Sequence, residues 1–195
     1  MINHINSIGD TVKIIISVGD ELGIGPEIIL KALSSKEIPK KIEFIIVGSK
    51  NNLENTYKNL KSLGVENIVN PDNYMIFDIK IPFEIDNPRK RSGNSSFFYL
   101  KKAIDIVQKY PNAALVTGPI CKKAWALAGH NYSGQTELLA ESCQVNNVGM
   151  LFTAKSPITG WRFNTLLATT HIPLCEVPKK LSTELIHKKL DLFSK

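Results

Sequence analysis

The chain contains few cysteines, and they are too far apart to cross-link a small fold. Three occur in 195 residues, at Cys121, Cys143 and Cys175, and an odd, scattered set makes neither a disulfide framework nor a Cys-x-x-Cys metal knuckle. No run approaches the roughly 18 apolar residues of a membrane-spanning helix. The first residues also lack the basic and apolar regions of a secretory signal. We therefore expect a cytoplasmic protein that does not enter a membrane.

The composition is that of a folded protein with an excess of positive charge. Hydrophobic residues make up 43% and charged residues 22%, which is globular rather than disordered composition. The net charge of +6 makes nucleic-acid binding worth considering. The basic residues are mostly scattered pairs, however, and their one triplet, Arg89 to Arg91, has no interleaved aromatic residues. We therefore expect solvated surfaces and no nucleic-acid partner, with a mild positive field for phosphorylated metabolites as the alternative.

Segments typical of strands and of helices alternate along the chain. Apolar and β-branched runs indicate strands at residues 13–18, 43–47, 113–117, 148–153 and 164–169. Apolar residues at helical spacing indicate helices from residue 25 and at residues 51–63, 95–109, 122–128, 136–143 and 183–193. Ser95 or Asn94 can cap the helix at 95–109. The alternation predicts an α/β sheet with helices on both faces.

Three polar or glycine-rich turns follow predicted strands, at residues 19–25, 117–119 and 169–171. Ligands of open α/β sheets bind at the carboxyl ends of strands, so these turns form the candidate binding edge. The first matches neither G-x-G-x-x-G nor G-x-x-x-x-G-K-[ST], and its Asp20 and Glu21 disfavour a phosphate there. It fits either an anion site at a helix N-terminus or a tight strand-to-helix connection.

Two further groups of residues can carry chemistry. Gln135 and Thr136 begin a predicted helix and can form hydrogen bonds with a substrate, although Ser133 or Thr136 can equally serve as a helix cap. His171 ends the third turn, where an imidazole is a metal ligand, a general base or a structural residue. We expect no function for the other histidines, which are His4, His130 and His187.

Three segments, taken together, are similar to one enzyme family. They are residues 19–27 (GDELGIGPE), residues 116–137, which include VTGPICK and AGHNYSGQTE, and residues 167–174 (LATTHIPL). In order and approximate spacing they resemble 4-hydroxythreonine-4-phosphate dehydrogenase of vitamin B6 biosynthesis, across nearly the whole chain. The last two segments together are specific to this family, whereas the match of the first segment is less specific.

The resemblance implies a fold and an assembly. The family has a three-layer α/β/α architecture similar to isocitrate and isopropylmalate dehydrogenases, with two domains around a cleft, and it pairs as homodimers. On this basis we expect a first, partial domain at residues 1–112 and a second, truncated domain at residues 113–195. Family members are longer than this chain, so we expect an N-terminal portion of the enzyme with little or no turnover of its own.

The resemblance also implies a reaction. It is the NAD-dependent oxidation of a small phosphorylated amino acid, 4-phosphooxy-L-threonine, with loss of carbon dioxide to give 3-amino-2-oxopropyl phosphate in pyridoxal phosphate biosynthesis. A divalent metal, zinc, magnesium or cobalt, is implied as the group that lowers the pKa of the substrate hydroxyl. The rival hypothesis is a non-catalytic basic α/β module that binds a phosphorylated metabolite or nucleic acid. Nucleic-acid affinity that falls steeply with salt favours that rival.

Site residues follow from the resemblance position by position. His171 matches the family's first metal-binding histidine, and Gln135 and Thr136 match its substrate-binding pair. The family usually has histidine where this chain has Gln135, and a carboxamide hydrogen-bonds but does not titrate near pH 7. The resemblance therefore predicts a positioning role for Gln135, and it identifies neither a proton-transferring residue nor the residues that bind NAD.

Overall fold

The structure, a computed structural model, describes residues 11–39, 41–81 and 85–194. Its residues separate into two compact units that divide between Leu139 and Ala140. The sequence places a domain boundary earlier, between residues 112 and 113. The difference arises because the strand after residue 112 pairs within the sheet of the first unit. The predicted boundary concerns the domains of a longer protein and stays a prediction.

The first unit is built on a four-stranded parallel sheet. Its strands are β1 (Val12–Ser17), β2 (Ile42–Gly48), β3 (Met75–Asp78) and β4 (Ala113–Thr117). They lie in the order β3-β2-β1-β4, and every pair is parallel. Ser17 at the end of β1 lies opposite Val47 of β2 and Thr117 of β4. The carboxyl ends of these strands are therefore level and form one edge.

Helices connect and flank these strands. They are α1 (Gly25–Ala32), α2 (Lys50–Ser62), α3 (Pro88–Val107), α4 (Lys122–Leu127) and α5 (Gln135–Ser142), the last of which crosses the division between the units. The core between sheet and helices includes the fully buried Ile15, Leu30, Ile45 and Leu53. Burying such aliphatic side chains contributes about 1.5–3 kcal/mol each. The predicted α/β fold is confirmed.

Helix α3 begins seven residues before the predicted start at residue 95, so the prediction of a cap at Ser95 or Asn94 is wrong. The cap is Asn87, whose side chain accepts a hydrogen bond of 3.1 Å from the Lys90 backbone N–H. Pro88 occupies the first helical position, where its missing N–H costs nothing. The apolar pattern could not reveal this first turn because the turn is exposed and strongly basic.

The second unit contains a hairpin and two helices. Strands β5 (Leu151–Lys155) and β6 (Arg162–Leu166) pair antiparallel, and the helices are α6 (Val177–Lys180) and α7 (Thr183–Ser194). Both strands lie closer to their shared turn than the predicted 148–153 and 164–169. A hydrogen bond of 2.8 Å from Ser156 N–H to the Trp161 carbonyl accounts for the shift, because it extends the pairing toward the turn. Among the described helices of the chain, none is long and apolar enough to cross a bilayer.

Candidate functional site

Two of the three predicted turns meet at the carboxyl edge of the parallel sheet. Strands β1 and β4 are neighbours, so the loop of residues 19–25 lies beside the turn of residues 117–119. The Asp20 N–H donates a hydrogen bond of 2.8 Å to the Pro119 carbonyl, and the Gly118 N–H donates one of 2.7 Å to the Ser17 carbonyl. The prediction of a shared edge is confirmed for these two turns and is wrong for the third, residues 169–171, which follows an antiparallel strand of the second unit.

Glycine is required where the two turns touch. Gly19 has a φ of 79°, in the left-handed region that favours glycine. A β-carbon on Gly19 would lie 2.3 Å from the Pro119 carbonyl oxygen, and one on Gly118 would lie 2.2 Å from the Val18 carbonyl oxygen. Both distances are far inside van der Waals contact with backbone atoms. The motif glycines therefore serve the close approach of β1 and β4 at the edge.

Both acidic side chains of the first loop bind helix α3. The Asp20 carboxylate accepts hydrogen bonds from the Ser92 hydroxyl and, at 3.0 Å, from the Leu22 N–H. The Glu21 carboxylate accepts a hydrogen bond from the Tyr99 hydroxyl. These contacts favour the interpretation of the loop as a connection held on α3 over that of a phosphate site.

Burial controls the electrostatics of this contact. The pKa of Glu21 is raised above its ordinary value of 4.5, mainly because burial disfavours the charged carboxylate. The hydrogen bond from Tyr99 and the positive charge of Arg91 oppose the increase, while Asp20 and Asp78 add to it. Burial and then the Glu21 charge raise the pKa of Tyr99. Tyr99 therefore stays a neutral hydrogen-bond donor to Glu21.

Gln135 reaches the same edge from the start of α5. Its Nε2 donates a hydrogen bond of 3.1 Å to the Gly118 carbonyl. Its Oε1 is buried and has no hydrogen-bond partner among the residues that the structure describes. Thr136 follows on the exposed side of the helix. The carboxamide is thus held to the turn after β4 through its Nε2 and leaves its Oε1 acceptor unused. The predicted substrate-binding role of Gln135 and Thr136 stays a prediction.

Lys122 brings positive charge to the start of α5. Its Nζ lies 3.6 Å from the position that a β-carbon on the buried Gly134 would occupy, and the Glu137 Oε2 lies 3.3 Å from the same position. Lys122 is exposed at the beginning of α4. The residue before Gln135 is therefore flanked by one cationic and one anionic side chain.

His171 belongs to the second unit. The sequence places it at the end of a strand of the parallel sheet, but the preceding strand is β6 of the antiparallel hairpin, and β6 ends five residues earlier. His171 is exposed and has a φ of 56°. Across residues 11–39, 41–81 and 85–194, no three His, Cys, Asp or Glu side chains lie close enough together to hold a metal. His171 therefore offers a single accessible imidazole, and its predicted metal role stays a prediction.

Sequence reasoning missed the polar face of α3. Ser92, Ser95, Ser96 and Tyr99 are all buried there. Ser96 accepts a hydrogen bond of 2.9 Å from the Trp125 indole of α4. The available signal was the spacing of the four residues, which stand at positions i, i+3, i+4 and i+7 and therefore share one helix face. His4, for which no function was predicted, lies outside the described residues.

Known proteins resemble this chain in sequence and in fold. The family model for pyridoxal phosphate biosynthetic protein PdxA matches residues 40–195. A curated 4-hydroxythreonine-4-phosphate dehydrogenase from Nostoc sp. (strain PCC 7120) is 43% identical over 190 residues, which are 93% of this chain and 52% of the relative. The enzyme of that name from Synechococcus sp. (strain JA-3-3Ab) is 40% identical over 186 residues, covering 93% of this chain and 53% of the relative.

Solved structures confirm the fold. The 4-hydroxythreonine-4-phosphate dehydrogenase of Klebsiella pneumoniae superposes with a TM-score of 0.72 at 23% identity, over 96% of this chain and 59% of that one. That of Burkholderia phymatum gives a TM-score of 0.71 at 21% identity, over 94% and 57%. The chain spans about half the length of the curated relatives that it matches. With the family match extending over most of its residues, this chain belongs to the PdxA family of pyridoxal phosphate biosynthetic proteins.

Proposed function

We propose that the whole protein oxidises 4-phosphooxy-L-threonine with NAD and a divalent metal, giving 3-amino-2-oxopropyl phosphate, carbon dioxide and NADH. In this reaction the secondary hydroxyl of the substrate becomes a ketone, and the resulting β-keto acid loses its carboxyl group as carbon dioxide. The proposal is supported by relatives named for this dehydrogenase activity. Within the chain, the observation that carries it is the unpaired acceptor of Gln135 at the edge where the two turns meet.

The proposed task of Gln135 is to accept a hydrogen bond from the substrate. Its Nε2 is engaged by the Gly118 carbonyl, which fixes the carboxamide with Oε1 as the unused atom. A buried acceptor without a partner costs about 1–3 kcal/mol, and a hydroxyl or ammonium group of the substrate would relieve that cost. The Thr136 hydroxyl can donate to the phosphate or carboxylate of the same molecule. A carboxamide is neither protonated nor deprotonated near pH 7, so Gln135 orients the substrate without acting as a base.

The chain offers one candidate ligand for the metal, His171, and no identified binding residue for NAD. The accessible imidazole of His171 has suitable chemistry for one ligand of a divalent cation, and we propose that role for it. The described residues do not complete a site, since catalytic metal sites commonly have about three protein ligands and no such cluster occurs among them. NAD supplies a hydride acceptor, and we assign it no binding residue in this chain.

The family resemblance supports two further parts of the proposal. They are that the whole protein works as a homodimer and that it works in the cytoplasm. Sedimentation of the purified protein tests the first, since a species of twice the chain mass is expected at micromolar concentration. Cell fractionation tests the second. A monomer, or a membrane-bound or exported protein, would contradict the corresponding part.

The proposed activity is tested by following NADH absorbance with the purified whole protein. NADH is expected with 4-phosphooxy-L-threonine, NAD and zinc, magnesium or cobalt, and not with L-threonine, because the phosphate is part of the recognised substrate. Removal of the metal with a chelator is expected to stop the reaction, and adding it back is expected to restore it. A folded, metal-loaded protein that forms no NADH would contradict the proposal.

A further inference from the structure

A short loop next to the candidate site connects helix α4 to helix α5. Its residues, Gly129–Gly134, follow α4 and end immediately before Gln135. We call it the 129–134 loop. The position of the Gln135 carboxamide and of the Thr136 hydroxyl depends on this loop, because α5 begins where the loop ends. Whatever holds the loop also sets where these two side chains point.

Within this loop, His130 contacts α3 through both the face of its ring and a ring nitrogen. Its ring stacks on Phe97 with a centroid distance of 3.7 Å and an angle of 7° between the planes. Its Nε2 lies 2.9 Å from Asn94 Oδ1. Because the Asn94 carboxamide oxygen accepts the hydrogen bond, the Nε2–H of His130 is its donor. The backbone N–H of His130 donates a second hydrogen bond, of 2.9 Å, to the Trp125 carbonyl of α4. His130 thus joins the loop to both helices.

The partners of His130 are themselves firmly placed. Phe97 is buried, and Trp125 is fully buried with its indole bonded to Ser96. Gly93 lets α3 and α4 touch, since a β-carbon there would lie 2.1 Å from the Ala124 carbonyl oxygen. The segment of α3 that contacts His130 also bears Ser92, which binds the Asp20 loop. One stretch of α3 therefore contacts both the first turn and the 129–134 loop.

The remaining loop contacts continue this arrangement toward Gln135. The Tyr132 N–H donates a hydrogen bond of 3.1 Å to the His130 carbonyl, and the Tyr132 ring lies 5.8 Å from that of Phe97 and 6.3 Å from that of Trp125. Gly134 is buried. At the far end, Gln135 is bonded to Gly118. The loop is thus held near its start by His130, and the residue that follows it, Gln135, is held to the turn after β4.

We propose that His130 is a positioning residue, which orients Gln135 and Thr136 for substrate by fastening the 129–134 loop to α3. The inference rests on the proposed function for the part that Gln135 and Thr136 play in binding. Histidine suits the position because a single flat ring provides both the stacking surface and the N–H donor. Phenylalanine retains the stacking alone, and glutamine retains the donor alone.

The experiment compares His130→Ala, His130→Phe and His130→Gln in the whole protein, with His187→Ala on α7 as the control. Two quantities are measured: KM and kcat for 4-phosphooxy-L-threonine, and the hydrogen-exchange rates of the amides of residues 131–136. The alanine variant is expected to raise KM about tenfold or more with kcat within about threefold, because a binding group misplaced equally in ground and transition states changes KM alone. Its amides are expected to exchange faster. The Phe and Gln variants are expected to fall between alanine and wild type, and the control is expected to match wild type.

If His130 were purely structural, the alanine variant would have lower thermal stability and an unchanged KM. Unchanged KM in an active alanine variant, or unchanged exchange at residues 131–136, would overturn the inference. If the alanine variant does not fold, the Phe and Gln variants provide the same comparison. If wild type itself forms no NADH, the proposed function fails instead, and the exchange rates alone then decide whether His130 fastens the loop.

Discussion

The Tyr99 hydroxyl donates a hydrogen bond to the Glu21 carboxylate, and this bond joins the middle of α3 to the loop after β1. Burial raises the pKa of Glu21 despite this bond. The folded protein therefore holds the Glu21 proton more tightly than the unfolded chain does. The charged carboxylate is a cost to the fold that the hydrogen bond offsets only in part.

The first prediction is that Glu21→Gln stabilises the protein at neutral pH. Glutamine keeps an acceptor for Tyr99 and removes the buried charge. For a carboxyl whose folded pKa is raised, stability is greatest below the unfolded value of 4.5 and falls as pH rises through the folded pKa. The variant is expected to lose this part of the pH dependence. Urea unfolding from pH 4.5 to 8 measures it.

A matched control for Glu21 is Glu27→Gln on α1. The Glu27 side chain is 40% exposed and forms an ion pair with Lys31 four residues away. Removing a surface pair of this kind costs about 0–1 kcal/mol, so no stabilisation is expected from the control. Equal stability changes in the two variants, or a loss of stability at pH 7 in Glu21→Gln, would count against burial as the dominant effect.

The second prediction concerns the contact between α3 and α4. Gly93→Ala places a β-carbon 2.1 Å from the Ala124 carbonyl oxygen, and backbone atoms at this distance must move apart. We expect a loss of about 3 kcal/mol or more in unfolding free energy. Gly23→Ala is the control, because its nearest neighbour there lies at 3.4 Å. Equal stability of the two variants, measured by urea titration, would show that the two helices do not approach so closely.

The third prediction separates binding from proton transfer at Gln135. Gln135→Ala in the whole protein removes the unpaired acceptor, and we expect KM for 4-phosphooxy-L-threonine to rise about tenfold with a smaller change in kcat. Because a carboxamide does not titrate near neutrality, the pH profile of kcat is expected to keep its shape. A profile that loses one limb in the variant would assign proton transfer to this position and contradict the positioning role.

The fourth prediction tests His171 against His187, an exposed histidine in the same unit. His171→Ala in the whole protein is expected to weaken binding of the divalent metal by at least about tenfold, since a ligand is lost, and to reduce turnover accordingly. His187→Ala is expected to change neither. Titration calorimetry with zinc measures the affinity directly. Unchanged metal affinity in His171→Ala would remove this residue from the proposed site.

The sequence predicted the sheet better than the site. Strands β1 and β4 were located to within one residue, because each is a continuous apolar run bounded by glycine or proline turns. The start of α3 was missed, because its first turn is basic and exposed. Its buried face also carries serines, whose burial depends on partners far away in the chain, such as Asp20 for Ser92 and Trp125 for Ser96.

The same reasoning explains why the sequence predicts no function for His130 although it does single out the motif glycines. A glycine-rich turn after a strand is a local signal, and its close approach to a neighbouring strand follows from parallel pairing. The importance of His130 depends on Phe97 and Asn94, more than thirty residues earlier. The spacing of apolar residues along the sequence contains no information about such a distant contact. His171 illustrates the converse, since its local sequence suggested the end of a parallel strand and the structure places an antiparallel hairpin before it.

The most direct test is the stoichiometry of the reaction catalysed by the whole protein. With 4-phosphooxy-L-threonine, NAD and a divalent metal, the proposal predicts one NADH and one carbon dioxide for each substrate molecule consumed. NADH can be read by absorbance and carbon dioxide by release of label from the substrate carboxyl group. Substrate that is bound but yields neither product, or NADH formed without carbon dioxide, would contradict the proposed reaction.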